Sequence, residues 1–205
     1  IKEGKVGTKE LDEKVSNVLR LIFRTSMDPH KPFGSLGSPE HGQAGRQIGE
    51  EGIVLLQNNG NVLPIDLNKA KKIAVIGENA IKMMTVGGGS SSLKVKYEIS
   101  PLDGLKSRVG SKAEVVYARG YVGDPTGEYN GVKTGQDLKD NRSEDELLAE
   151  ALQVAKDADY VIFFGGLNKS NHQDCEDSDR ASLGLPYAQD RVISELAKVN
   201  KNLIV

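Results

Sequence analysis

The fold is decided by residues 160–186, which read YVIFFGGLNKSNHQDCEDSDRASLGLP. Their first five residues form a short apolar run, which is typical of a buried strand. A long loop rich in carboxylates follows directly and ends at Pro186, a residue that can begin a helix. In an open parallel sheet, ligands bind outside the carboxyl ends of the strands. The loop after Phe164 is therefore the first place to look for a functional site.

Other apolar runs predict further strands, at residues 73–76, 115–117 and 203–205. Helical patterns lie between them: Ser100-Pro101 begins one, and Ser143 with Glu146 forms a capping box for the next. Strands that alternate with helices indicate βαβ units and a parallel sheet. The predicted fold class is α/β, a partial α/β sandwich with a mostly parallel sheet.

The first 60 residues follow a different pattern. A helix with Thr8 as its cap candidate carries an apolar stripe of Leu11, Val15, Val18 and Ile22. A stretch rich in Pro, Gly and Ser comes next, and Ser38-Pro39 then begins a second helix that we expect to reach about Asn58. The predicted organisation is a helix at 1–26, a linker at 27–39, and the α/β domain at 40–205, truncated at its C-terminal end.

Three long loops follow the predicted strands, at residues 78–99, 118–142 and 165–185. Loops of this length in a folded domain are usually functional or disordered. All three should lie on one rim, because each follows the carboxyl end of a parallel strand. The Gly-rich stretch 120–135 is predicted to be a mobile insertion.

Composition excludes some classes of function. The 205 residues are 38% hydrophobic and 27% charged, which is typical of a globular domain. The net charge of −2, with both signs interspersed, predicts no nucleic-acid partner, and no apolar run approaches the roughly 20 residues of a membrane span. The single Cys175 leaves the compartment open. A periplasmic or secreted location is suspected, without a residue that decides it.

Several motifs occur together and in order. Glu176 is followed by Asp179, Arg180 and the Leu185-Pro186 pair. Upstream stand EGIVLLQN at 51–58, LPI at 63–65, IAVIG at 73–77 and GGGSSS at 87–92. This set resembles the second domain of the family 3 glycoside hydrolases, the β-glucosidase family. The first helix is similar to the one that closes the family's first domain, a β/α barrel.

The resemblance implies a function. It implies part of a retaining β-glycosidase that hydrolyses terminal non-reducing β-D-glucosyl residues, with Glu176 as the general acid/base. It also implies that Ser90, Ser91 and Arg180 bind substrate, and that no metal and no cofactor takes part. The family's nucleophile belongs to the barrel, so the chain is expected to be inactive alone and to need the barrel domain as a partner. The stripe of the first helix is expected to be covered by another copy or by the chain's own sheet.

The carboxylate loop has other interpretations. Asp174, Asp177 and Asp179 would favour the protonated form of Glu176 that an acid needs, whereas Arg180 would oppose it. Most charge runs, however, are simply solvated loops. The family usually has Gly where Asp177 stands, which leaves the aim of Glu176 open. A calcium loop lacks the required Gly at Asp179.

Two further alternatives concern other classes of site. His172 and Cys175 could form a metal site or a thiol nucleophile, but no second Cys accompanies them. Residues 87–92 might be taken for a phosphate cradle, but their spacing argues against a P-loop. A flexible turn is as good an interpretation of these residues as a contact to sugar. The alternative function is a non-catalytic α/β interaction or nucleotide-binding module, because such a module would explain a chain that carries only one of the two carboxylates that the reaction needs.

Overall fold

The computed structural model describes the chain except for residues 28, 29, 31–33, 86–89, 91, 92, 94, 124–127, 130, 131, 134, 135, 170–172, 174, 175, 177 and 178. At residues 128, 129, 132 and 133 it describes the backbone alone. The chain divides into two units, Ile1–Val54 and Leu55–Val205. The domain limits predicted at residues 26 and 39 stay a prediction.

The first unit holds two helices, α1 (Thr8–Thr25) and α2 (Pro39–Gly52). The predicted cap of α1 is wrong by one residue, because Thr8 is already helical and Gly7 is the N-cap. No residue of α1 is buried, and its apolar stripe is 39–58% exposed. The expectation that another copy or the chain's own sheet covers this stripe stays a prediction.

Helix α2 begins where the sequence predicts. The Ser38 side chain accepts a hydrogen bond from the His41 N–H, and Pro39 occupies the first turn. The predicted end near Asn58 is wrong, because the helix stops at Gly52 and Ile53 is already extended (φ −77°, ψ 126°). Gly has a low helix propensity, and the β-branched pair Ile53-Val54 favours extended backbone.

The second unit is built on a parallel sheet. Its strands are β1 (Lys72–Ile76), β2 (Glu114–Ala118), β5 (Tyr160–Phe163) and β6 (Leu203–Ile204), in the order β2-β1-β5-β6. All adjacent pairs in this sheet are parallel, which confirms the predicted fold class. The predicted strand positions agree with the structure to within one residue at each end.

Helices cover both faces of the sheet. They are α3 (Pro101–Val109), α4 (Glu144–Lys156) and α5 (Gln189–Val199). In β1, Ala74 and Ile76 face a core that includes α4 and α5, whereas Ile73 and Val75 lie in clusters that include residues of α3. These four residues of β1 are completely buried, so β1 is the centre of the domain.

Two local predictions differ from the structure. The insertion at 120–135 contains a short antiparallel hairpin, β3 (Glu128–Tyr129) with β4 (Val132–Lys133), which the sequence pattern missed. Helix α5 begins at Gln189, so the start predicted at Pro186 is wrong. Tyr187 and Ala188 have left-handed backbone (φ 59° and 55°), which a right-handed helix cannot contain.

Candidate active site

The carboxyl ends of β1, β2 and β5 meet at one edge of the sheet. Ile76 is the register partner of both Ala118 and Phe163, so the three strands end side by side. The loops after them, which we name loop 1 (77–99), loop 2 (119–142) and loop 3 (164–188), start from this edge. The predicted common rim is confirmed.

Gly77 is required where loop 1 leaves the sheet. Its φ is +119°, and a Cβ at this position would lie 2.1 Å from the carbonyl oxygen of Phe164. The close approach lets the Phe164 N–H donate to the carbonyl of Ile76 at 2.7 Å. The starts of loops 1 and 3 are therefore in backbone contact.

A buried carboxylate lies directly after Gly77. The side chain of Glu78 is fully buried and accepts hydrogen bonds from the Arg119 guanidinium at 2.7 Å and from the Gly123 N–H at 2.6 Å. Its other oxygen is 3.6 Å from the Lys82 ammonium, which is also buried. Glu78 therefore joins loop 1 to loop 2. We name Glu78, Lys82 and Arg119 the buried charge cluster.

Arg119 extends this cluster into loop 2. Its guanidinium donates to the Leu138 carbonyl and is 3.5 Å from the carboxylate of Asp140. Arg142 binds the same carboxylate at 2.7 Å and also pairs with Glu150 of α4 at 2.7 Å. Hydrogen bonds from Arg142 hold the pKa of the Asp140 carboxyl well below its usual range.

Tyr121 and Asn79 link all three loops. The Tyr121 hydroxyl accepts from the Asn79 N–H at 3.3 Å and donates to the Phe164 carbonyl at 3.1 Å. The Asn79 side-chain amide donates to the carbonyl of Gly165 at 3.0 Å. Burial raises the pKa of the Tyr121 hydroxyl, so it stays a neutral donor.

Buried amides hold the base of loop 3. The Gln173 side chain accepts from the Asn168 N–H at 3.1 Å and donates to the Tyr187 hydroxyl. The Gln189 side chain makes a reciprocal pair with Gly166, accepting from its N–H at 2.7 Å and donating to its carbonyl at 3.1 Å. Both ends of the loop are thus fixed on a buried polar layer.

Glu176 and Ser90 meet across the rim. Glu176, in loop 3, is half-buried, and its Oε1 accepts a hydrogen bond from the hydroxyl of Ser90 in loop 1, 86 residues earlier in the chain. The ends of the Ser90 loop are themselves held together, since the Glu98 carboxylate accepts from the Thr85 N–H at 3.3 Å. The structure therefore brings two of the predicted site residues together.

The other predicted site residues are not all placed there. Arg180 is exposed and donates to the carbonyls of its own loop, at 2.7 Å to Leu183 and 3.4 Å to Gly184. Among the contacts of the described residues, none joins Arg180 to Glu176 or Ser90. Positions outside the described residues include several that the sequence singled out: Ser91, His172, Asp174, Cys175 and Asp177.

Sequence reasoning missed the buried charge cluster. Its charged residues stand singly after apolar strands, and isolated charges in loops are usually solvated. The signal that was present is position, since Glu78 and Arg119 both follow buried strands that end at the same edge.

One depression of the second unit lies elsewhere. It has a volume of about 440 Å³ and is lined by residues such as Lys69, Asp159, Asn200 and Asn202, which precede β1, β5 and β6. It is therefore at the amino ends of the strands, away from the rim. The Asp159 carboxylate accepts hydrogen bonds there from the backbone N–H groups of Lys72 and Lys71, which lower the pKa of Asp159. Asp159 therefore caps the start of β1.

The described residues contain neither a candidate membrane span nor a candidate metal site. No described helix is long and apolar enough to cross a membrane. Within the part of the chain that the structure describes, no group of His, Cys, Asp and Glu could hold a metal ion.

Comparison with known proteins gives the family. Residues 53–205 match the Glycosyl hydrolase family 3 C-terminal domain. The chain belongs to this family. A β-glucosidase of Bacteroides ovatus is 45% identical over 210 residues, which cover 100% of this chain and 27% of the relative. A β-xylosidase of Formosa agariphila is 30% identical over 96% of this chain and 26% of its own length.

A solved structure of a family 3 enzyme has the same fold. The GH3 β-glucosidase of Bifidobacterium adolescentis superposes with a TM-score of 0.74 at 29% identity, covering 98% of this chain and 26% of that protein. This family 3 chain thus spans about a quarter of the length of the relatives that it matches.

Proposed function

We propose that this chain supplies the general acid/base loop of a retaining β-glycosidase of the β-glucosidase type. The proposed reaction releases terminal non-reducing β-D-glucosyl residues, and Glu176 carries the proton. The observation that supports this most is the hydrogen bond from Ser90 to Glu176. It holds a half-buried carboxylate at the sheet edge where α/β domains bind ligands.

Glu176 supplies one of the two carboxylates that the reaction needs. As an acid it gives its proton to the glycosidic oxygen, while a second carboxylate attacks the anomeric carbon and the bond to the leaving group breaks. As a base it then takes a proton from water, and the resulting hydroxide oxygen displaces the enzyme carboxylate. The two carboxyl groups of retaining enzymes lie about 5–5.5 Å apart.

The second carboxylate is proposed to belong to a barrel domain in the same longer protein. Helix α1 is proposed to be the last helix of that barrel. The chain alone would then have the acid without the nucleophile, and covalent catalysis requires both. No step in this scheme needs a metal or an organic cofactor.

Ser90, Ser91 and Arg180 are proposed to contact the sugar. Ser90 is exposed beside Glu176, and its hydroxyl oxygen keeps lone pairs that can accept from a sugar hydroxyl. Arg180 holds the backbone of loop 3 at Leu183 and Gly184, whose carbonyls accept hydrogen bonds from its guanidinium. The β-glucosidase type is favoured because the Bacteroides ovatus relative that is 45% identical is named a β-glucosidase.

The test uses the full-length protein and two kinds of substrate. Protonation of the leaving group matters most when the departing oxygen is basic. Replacing Glu176 by Ala should therefore lower kcat/KM on cellobiose by roughly 10²–10⁴, the usual share of general acid catalysis, and should lower it much less on a dinitrophenyl β-glucoside. Steady-state kinetics on both substrates measure the two ratios.

Matched controls lie in the same loop. Asp179→Asn removes an exposed carboxylate three residues away and should leave both ratios within about twofold of the parent. Asp174→Ala and Asp177→Ala complete the set. Strong leaving-group dependence in one of these three variants, and its absence in Glu176→Ala, would assign the acid role to another carboxylate.

A further inference from the structure

We propose that Glu78 is a positioning residue for Glu176, an inference that rests on the acid/base role proposed above. Glu78 itself does not face the rim, because its side chain is fully buried. It acts by fixing the relative placement of loops 1, 2 and 3, and through them the aim of the Glu176 carboxyl group.

The buried charge cluster is an unusual way to stabilise a core. Glu78, Lys82 and Arg119 are 0%, 2% and 7% exposed. Removing such charges from water is costly, and apolar side chains of the same size often stabilise a protein as well or better. The cluster lies at the starts of loops 1 and 2, where the precise placement of backbone matters. Its position therefore indicates a role in geometry more than in stability.

The carboxylate of Glu78 also lies near loop 3. A Cβ added at Gly123 would lie 2.4 Å from Glu78 Oε1 and 3.0 Å from Asn168 Nδ2. The Glu78 carboxylate and the Asn168 amide therefore lie on the same side of Gly123, where a side chain would otherwise stand. Loops 1, 2 and 3 meet at this point.

One route runs from Asn168 to the catalytic carboxyl group. The backbone N–H of Asn168 donates to the side chain of Gln173 at 3.1 Å, and Gln173 stands three residues before Glu176. Gln173 is 5% exposed and also donates to the Tyr187 hydroxyl, so it has little freedom to move alone. A shift of Asn168 should therefore move the backbone that carries Glu176.

A second route runs along loop 1. This loop begins at Glu78 and carries Ser90, which donates to Glu176. Gln136 of loop 2 holds the same loop, since its side chain accepts from the Met83 N–H at 2.9 Å and donates to the Ile81 carbonyl at 2.7 Å. Both routes to Glu176 start at Glu78, the first near its carboxylate and the second along the backbone of loop 1.

The first variant is Glu78→Gln in the full-length protein. It keeps the side-chain size but removes the negative charge. An amide oxygen in place of Oε2 can still accept from Arg119 and Gly123, whereas the amide NH2 group then stands at the position of Oε1, 3.6 Å from the Lys82 ammonium. A misplacement of about 1 Å in a catalytic group can cost about 10²-fold in rate. We expect turnover of cellobiose to fall by about 10²-fold, with a much smaller loss on a dinitrophenyl β-glucoside.

The second variant is Gly123→Ala, which keeps every charge. Its methyl group would wedge between Glu78 and Asn168 at the distances given above. We expect the same leaving-group dependence, at about 10-fold or more on cellobiose. The control is Asp145→Asn, which breaks an exposed ion pair to Arg191 in the same domain and should change neither substrate by more than about twofold.

The readout separates positioning from folding. A fluorosugar that traps the glycosyl-enzyme on the nucleophile counts active molecules, and turnover is then expressed per trapped site on both substrates. Leaving-group-dependent losses in Glu78→Gln or, if that variant is insoluble, in Gly123→Ala support the proposal. Turnover per site within twofold of the parent, or equal losses on both substrates, overturns it. Glu176→Ala is measured beside them: if it lacks leaving-group dependence, the proposed function fails instead.

Discussion

Ser90 shows how much depends on one hydroxyl group at the rim. Replacing Ser90 by Ala removes the donor to the Glu176 carboxylate, and hydrogen bonds to charged groups contribute about 1.5–3 kcal/mol. We expect kcat/KM on cellobiose to fall at least about 10-fold, with the melting temperature unchanged because Ser90 is exposed. Ser90→Thr keeps the hydroxyl and should retain most activity. An alanine variant within twofold of the parent would contradict the contact.

The Asp140 carboxylate should make the stability of the folded chain sensitive to acid. Its pKa is lowered in the folded state by hydrogen bonds from Arg142, so on acidification the unfolded chain takes up the proton first. Its contribution to stability is present above pH about 4 and is lost as the pH falls further. In urea unfolding between pH 5 and about 2, Asp140→Asn should therefore lose less stability on acidification than the parent. Parallel pH profiles would refute this.

At this scale the sequence predicts single residues better than their contacts. Glu176 could be named because its neighbours form a family-like motif. The contact with Ser90 could not, because it depends on how two loops 86 residues apart fold over the same edge. The buried charge cluster was missed since an isolated Glu or Arg in a loop carries no pattern.

Among the elements, α4 has the clearest local signal. Its predicted capping box is confirmed: the Ser143 hydroxyl accepts from the Glu146 N–H at 3.2 Å, and the Glu146 carboxylate accepts from the Ser143 N–H at 2.7 Å. Ser143→Ala should lower the free energy of unfolding by about 1 kcal/mol.

The control for this prediction is another serine on a helix. Ser194 is exposed within α5, and Ser194→Ala should change the free energy of unfolding by less than about 0.5 kcal/mol. If chemical denaturation gave equal changes in the free energy of unfolding for the two substitutions, the capping hydrogen bond would contribute no more than an ordinary exposed serine.

Helix and strand positions could be predicted where short-range chemistry decides them. The strands and the starts of α2, α3 and α4 follow from apolar runs, Ser-Pro pairs and the capping box. The start of α5 could not be predicted, because tertiary contacts determine the backbone at Tyr187. Its hydroxyl accepts from Gln173, and its ring stacks on that of Tyr121 with 6.4 Å between centroids.

For the whole molecule, we expect this chain alone to have no glycosidase activity. The proposed acid is present, but the proposed nucleophile belongs to a barrel domain elsewhere in a longer protein. Purified residues 1–205 should release no dinitrophenol from the activated glucoside above the level of a mock purification. Turnover that tracks the purified protein and disappears in Glu176→Ala would contradict the proposed division of labour.

The parallel sheet and the common rim are matters of topology, and the alternation of strands and helices was sufficient to predict both. The substrate cannot be predicted from topology, since the relatives include proteins named β-glucosidase and β-xylosidase. Sugar choice depends on side chains that surround the whole ring, and the proposed site holds only part of them.

Azide rescue separates an acid/base residue from the other carboxylates of loop 3, and it should single out Glu176. In the full-length Glu176→Ala protein, a dinitrophenyl β-glucoside should form the glycosyl-enzyme readily, and hydrolysis should stall because no base activates water. Azide attacks without a base, so it should restore turnover and yield the β-glucosyl azide, with the anomeric configuration retained. Unchanged turnover with azide, or rescue in Asp179→Ala instead, would contradict the assignment of Glu176.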